Sequence, residues 1–127
     1  MENIRQALER GAAGTGAFID FSGRWKNELE SEMELTQTDR ALSGIYKSKK
    51  SSDGSIAIGD LLGYVDGDLI SFVVHWRDFQ AITAWVGQCI PKSSFKQFNT
   101  LWQMTKQVDS GEEWGSINSG ADTFFRA

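Results

Sequence analysis

The chain of 127 residues holds one cysteine, Cys89, and one histidine, His75. One cysteine leaves no internal disulfide to form, and one histidine beside it cannot furnish a zinc site. Nor is there a Ser-His-acid set for nucleophilic catalysis. No apolar run approaches the length of a membrane span, so no membrane partner is expected. Positive charge is equally scarce, with a formal net charge of −4. A nucleic-acid groove would show a basic stripe. The one basic cluster, Lys47-Ser-Lys-Lys50, is short, lies beside turn residues and reads as a solvated loop. The opening Met1-Glu-Asn-Ile-Arg-Gln-Ala-Leu-Glu-Arg10 lacks the apolar core of a signal peptide. The expectation is a protein that stays inside the cell or one whose signal was removed, and the compartment is left open.

What is present is a globular composition, 40% hydrophobic and 24% charged, with 13 Gly and a single Pro. Five Trp and eight Phe make a high aromatic load for one domain. Residues 1–17 read as an extension. Asn3 caps a short helix over 3–10 with Ile4, Ala7 and Leu8 on one face. Gly11-Ala-Ala-Gly-Thr-Gly16 then reads as a linker, because it lacks the strand-before, helix-after setting of a phosphate loop.

Over 18–127 the pattern changes to strands, expected near 22–28, 32–37, 41–48, 55–65, 69–77, 80–90, 95–107 and 120–126. Turn residues separate them: Thr38-Asp39-Arg40, Ser51-Ser-Asp-Gly54, Val65-Asp-Gly-Asp68 and Asp109-Ser-Gly-Glu112. Asp66-Gly67 between alternating runs is a hairpin signal. Eight evenly spaced strands with short connections predict an all-β fold, an eight-stranded antiparallel up-and-down β-barrel, which closes on itself and leaves no edge. A barrel of that size holds one small ligand. An open sandwich is the alternative.

The hairpin Ser71–Trp76 and Ala81–Gln88 shows what the interior would contain. Alternation puts Phe72, Val74 and Trp76 on one face of the first strand, and Ala81, Thr83, Trp85 and Gly87 on one face of the second. His75 faces the other way, as an outer residue. If the two faces coincide, two indoles and a hydroxyl converge. Trp is hard to bury completely and its N–H needs a partner, so an aromatic-walled pocket and a packed core both remain open readings. Other strands add polar groups: Trp25 and Asn27, then Ser31, then Tyr46 and Ser48, Trp102, and Asp122 two residues before Phe124. Singly these have plain readings: Asn27 serving a turn, Ser48 facing solvent, Asp122 pairing with Arg126. Together they form a polar ring at one end of an aromatic tube, which a plain core would not tolerate.

From about Ser22 to Arg126 the chain resembles the avidin and streptavidin family of biotin-binding proteins. The resemblance rests on Ser22-Gly-Arg-Trp-Lys-Asn-Glu-Leu29 with Ser31, Leu42-Ser-Gly-Ile-Tyr46 with Ser48, and Phe72-Val-Val-His-Trp76. It continues through Thr83-Ala-Trp-Val-Gly-Gln-Cys89, Thr100-Leu-Trp102, and Trp114 through Asp122-Thr-Phe124. It implies biotin as ligand, no other cofactor, and a binding protein that is not an enzyme. By resemblance Asn27, Ser31 and Tyr46 hold the ureido oxygen, in the manner of an oxyanion hole used for binding. Asp122 and Ser48 match the acceptors for the ureido N–H groups, and Thr83 the hydroxyl near the thioether sulfur. Trp76, Trp85 and Trp102 match the apolar walls. Trp114 matches a lid that reaches into a neighbouring subunit's pocket, implying a homotetramer; the alternative is a loop aromatic covering its own barrel.

The chain also departs from the family. The Ser48-to-Gly63 connection resembles avidin's longer loop, with Lys49, Lys50, Ser51 and Ser52 as candidate donors to the biotin carboxylate. Ala81 replaces a carboxylate-binding hydroxyl, which implies weaker binding or less discrimination between biotin and its amides. Cys89 matches a family cysteine without its partner and is expected to be a buried free thiol. A lipocalin-like carrier of another apolar ligand is the second functional reading. A barrel enzyme with Asp122 as base is a third.

Overall fold

Strict alternation of buried and exposed side chains sets the architecture of the computed structural model, which describes residues 3–11, 16–49 and 55–127. The strands are β1 (Gly23–Asn27), β2 (Glu32–Thr38), β3 (Ala41–Lys49), β4 (Ile56–Asp66), β5 (Leu69–Trp76), β6 (Ala81–Cys89), β7 (Gln97–Lys106) and β8 (Ile117–Arg126). Each pairs antiparallel with the next, and β8 returns to β1, so the sheet closes in sequence order as an up-and-down barrel. The expected fold stands, and the open sandwich does not.

In β5, Ile70, Phe72, Val74 and Trp76 are buried, while Val73 and His75 face outward. Phe72 lies opposite Trp85 and Val74 opposite Thr83, so the two hairpin faces coincide on the interior. The β4–β5 turn is formed by Gly67 and Asp68. Gly67 adopts φ +61°, the left-handed conformation that glycine enters without a Cβ penalty.

Two boundaries differ from expectation. The last strand begins at Ile117 rather than 120, because the polar run Asn118-Ser-Gly120 pairs with Met104, Gln103 and Trp102. A Cβ at Gly120 would collide with the Trp102 ring, so this glycine marks a close approach inside a strand rather than a turn. The Ser48-to-Gly63 stretch is not a loop: β3 runs to Lys49, β4 begins at Ile56, and Gly63 pairs with Leu42 and Phe72. The remaining connection is short, and Lys50, Ser51 and Ser52 lie outside the described residues, as do residues 12–15 of the glycine-rich linker.

The barrel is filled unevenly. Phe21, Trp25, Phe72, Phe98 and Phe124 are almost completely buried. They interlock as tilted, edge-on and stacked ring pairs, with Trp25 and Phe98 4.8 Å apart and Phe98 and Phe124 5.0 Å apart. The segment before β1 closes this end. Ile19 donates its N–H to the Gly67 carbonyl at 3.3 Å, and the Phe21 carbonyl accepts the Trp25 indole N–H at 2.9 Å. Arg126 locks the seam from β8, donating to the Ser22 and Asp20 carbonyls and lying 4.3 Å from the Trp25 ring centroid. The plain alternative for Asp122, pairing with Arg126, is therefore absent. The helix, Ile4–Glu9, carries a capping box between Asn3 and Gln6 and buries no residue.

Candidate functional site

At the other end the interior is hollow. A cavity of about 140 Å³ is lined by Asn27, Ser31, Tyr46, Ser48, Trp76, Thr83, Trp85, Trp102 and Asp122, together with Leu29 and Met104. Each polar side chain except Ser48 is buried, and hydrogen bonds within the protein fix how most of them present themselves.

Asn27 ends β1, where the chain turns through Glu30 at φ +64°. Its Oδ1 accepts the backbone N–H groups of Leu29 and Ser31 at 3.0 and 2.9 Å. The acceptor end of the amide is thereby used by the turn, and Nδ2 is aimed inward, 3.3 Å from the Tyr46 hydroxyl. The plain reading, Asn27 serving a turn, and the binding reading are both satisfied by one side chain. Ser31 Oγ accepts the Lys49 N–H at 3.1 Å, which leaves its hydroxyl hydrogen to donate into the cavity. Tyr46 stands on β3 opposite Met33 and Gly59 and stacks on Trp85 with centroids 4.9 Å apart. Burial, with the Asp122 charge adding to it, pushes its phenol well above the ordinary value. The hydroxyl therefore stays protonated and able to donate.

Asp122 stands on β8, the strand paired with β1, so it lies beside Asn27 at the edge of these donors. Its backbone carbonyl accepts the Thr100 hydroxyl at 3.0 Å, and its Oδ2 accepts the Trp85 indole N–H at 3.0 Å. Burial raises its pKa above the usual carboxylate range. The Trp85 and Asn27 hydrogen bonds oppose the rise, and the nearby Glu28 carboxylate adds to it. Glu28 is held there by the Thr123 N–H at 2.9 Å. Thr83 Oγ1 accepts the Trp76 indole N–H at 3.0 Å, so its own hydrogen is also left to donate. Two indoles whose N–H groups needed partners have found them, on the two polar groups that line the pocket.

The structure thus brings nine of the sequence-expected residues around one cavity. Trp114 is the exception. It sits in a short 3₁₀ turn, Glu113–Gly115, 88% exposed and away from the cavity of its own chain. Lys49, a loop candidate, faces outward and pairs with Glu30 at 3.1 Å. Two lining residues were not foreseen. Met104 follows Trp102 by two on β7, so alternation alone would have found it; Leu29 comes from the turn, where no periodicity applies. Cys89 is a buried free thiol, raised in pKa by burial. No cluster of metal-ligating side chains occurs among the described residues, and no described helix is long and apolar enough to cross a membrane.

The chain is similar to curated proteins of Gallus gallus. Avidin-related protein 4/5 is 26% identical over 115 residues, 84% of this chain and 77% of that protein. Avidin-related protein 3 is 27% identical over the same shares. Among solved structures, Xenavidin superimposes with a TM-score of 0.74 at 27% identity, over 87% of this chain and 99% of its own. AVR2 superimposes with 0.73 at 26%, over 88% and 98%. The family model described as the Avidin family matches residues 15–127. With the closed barrel and the aromatic, polar-ringed cavity on that same stretch, the chain belongs to the Avidin family.

Proposed function

We propose that this barrel binds biotin in its interior, without chemical change to it, and does so as a homo-oligomer, a homotetramer in which Trp114 closes a neighbouring pocket. One observation carries the reading. Three donors whose acceptor sides are engaged by the protein converge in one cavity beside a buried carboxylate. That is the complement of a cyclic urea, whose oxygen accepts and whose two N–H groups donate. In this assignment Asn27 Nδ2, Ser31 Oγ and Tyr46 OH meet the ureido oxygen, and Asp122 and Ser48 take the two N–H groups. Thr83 donates toward the thioether sulfur, and Trp76, Trp85 and Trp102 enclose the apolar ring and acyl chain. Lys50, Ser51 and Ser52 remain candidates for the carboxylate end.

Ring stacking and hydrogen bonds already hold most of these side chains, so little ordering is left to oppose binding. The family relationship supports a binding protein rather than an enzyme. The test is a calorimetric titration of protein that has been denatured and refolded to strip any biotin from the expression host. One biotin per chain, with a saturable change in tryptophan emission, is the expected result. Folded protein that gives neither signal, yet binds a retinoid or fatty acid, would place the chain with apolar-ligand carriers instead.

A further inference from the structure

Beyond Trp76 the cavity opens into a vestibule of about 620 Å³, which shares Ser48, Trp76 and Met104 with the inner site and adds Phe79, Ala81 and Lys106. The inward row of β7 runs Phe98, Thr100, Trp102 and Met104, and alternation continues it to Lys106 at the rim. Register places Lys106 directly across from Ala81. Its backbone is held there, with its N–H donating to the Ser116 carbonyl at 3.0 Å. Its ammonium makes no ion pair with any described carboxylate. Among the described residues the other charged group of the vestibule is Asp78, which neighbours Arg77 and lies in its field. Lys49, next to Ser48 on β3, is paired with Glu30 at 3.1 Å and does not line the vestibule.

We propose that Lys106 determines specificity for the free acid, its ammonium meeting the ligand's carboxylate on the wall where Ala81 offers no hydroxyl. The assignment rests on the biotin reading of the inner pocket. With the urea seated among Asn27, Ser31, Tyr46 and Asp122, the acyl chain runs outward past Trp76 and Met104, and its end emerges in the vestibule. A lysine suits that place, because a compact charge on a flexible four-carbon stem adapts to a carboxylate leaving a channel. Ala81 does not then loosen the distinction between biotin and its amides. The distinction passes from a hydroxyl on β6 to a cation on β7, and the pocket takes the free acid in preference to biotin already joined through an amide.

The test compares biotin with its neutral primary amide on the full-length wild type, Lys106→Met and Lys106→Arg, by competition calorimetry and dissociation rates at low and high salt. Lys106→Met is expected to lower the acid-to-amide affinity ratio roughly tenfold, the share of one charge-assisted hydrogen bond. The loss should fall on the acid alone. Lys106→Arg should keep the ratio near that of wild type, and high salt should narrow the wild-type ratio. An unchanged ratio in Lys106→Met, with the amide still bound, overturns the role of Lys106 and leaves the biotin site standing. Equal losses of acid and amide would mean a packing role and also overturn it. Failure of the folded wild type to bind either ligand overturns the pocket reading and this assignment together.

Discussion

Asp122 is asked to do two opposed things. As an acceptor for an N–H it is strongest when ionised, yet burial and the neighbouring Glu28 carboxylate favour its neutral form. The two demands give pH dependences of opposite sign. Biotin affinity should fall as pH falls through the raised pKa of Asp122, because a protonated carboxyl has lost an acceptor. The stability of the ligand-free barrel follows the other rule. A carboxyl whose folded pKa lies above its unfolded value contributes stability that is fully present below the unfolded value, about 3.9 for Asp, and lost as pH rises through the folded one. Asp122→Asn should therefore bind biotin roughly 30- to 150-fold more weakly, about 2–3 kcal/mol for a hydrogen bond to a charged group. The same variant should raise the unfolding midpoint of the ligand-free protein at neutral pH. Titration calorimetry and chemical denaturation measured on the same samples check both; a variant that loses stability as well as affinity would mean that the carboxylate is structural. Tyr46 sets no such window, because its raised pKa keeps it a donor throughout the range in which the barrel would be studied.

At the scale of elements, the two ends of the barrel differ in what holds them. The segment before β1 is part of the core: Phe21 is fully buried against Trp25 and Phe98. Helix Ile4–Glu9, by contrast, leaves Ile4 and Leu8 80% and 74% exposed. Removal of residues 1–11 should leave the denaturation midpoint unchanged, whereas Phe21→Ala should cost about 3–5 kcal/mol, the range for emptying a buried aromatic site. An equal effect of both changes in urea unfolding would show that the helix packs in solution. The same contrast explains which elements the sequence discloses. The hairpin of β5 and β6 was legible because one face is apolar at every second residue, and its partner strand repeats the pattern. The start of β8 was hidden because Asn118, Ser119 and Gly120 carry turn chemistry while serving as strand, with Gly120 clearing space for Trp102. Asn27, Ser31 and Asp122 could be suspected from alternation, but their direction depends on turn geometry that no periodicity encodes. Glu28, fixed by the Thr123 N–H across the seam of the barrel, left no signal at all. Phe79 likewise lies in a turn, where position relative to the vestibule follows only from closure of the barrel.

On the scale of the whole molecule, the outside of the barrel is as informative as the inside. Outward-facing positions line up across neighbouring strands: Leu62 beside Val73 and Ala84, and Val86 beside Leu101 and Ala121. Leu62, Tyr64, Val86, Leu101 and Ile117 are each at least 63% exposed in the single chain. A contiguous apolar wall of this kind is what the proposed homo-oligomer would cover, and a second copy of the barrel offers the same wall in return. Association would also give Trp114 a place. An indole 88% exposed in a turn buries little against its own chain, but Trp is among the residue types that dominate interfaces once enclosed. Sedimentation should therefore give a mass several times the 14.2 kDa of one chain. Trp114→Ala should speed biotin release by about 30-fold or more, corresponding to about 2 kcal/mol for an interface aromatic, while leaving the inner polar contacts intact. If Trp114 acts across a subunit boundary, wild-type protein diluted until it dissociates should release biotin as fast as the variant, and dilution should not speed the variant further. If it covers its own barrel, the variant would be faster than wild type at every dilution. Equal release from both proteins under all conditions would remove Trp114 from the site altogether.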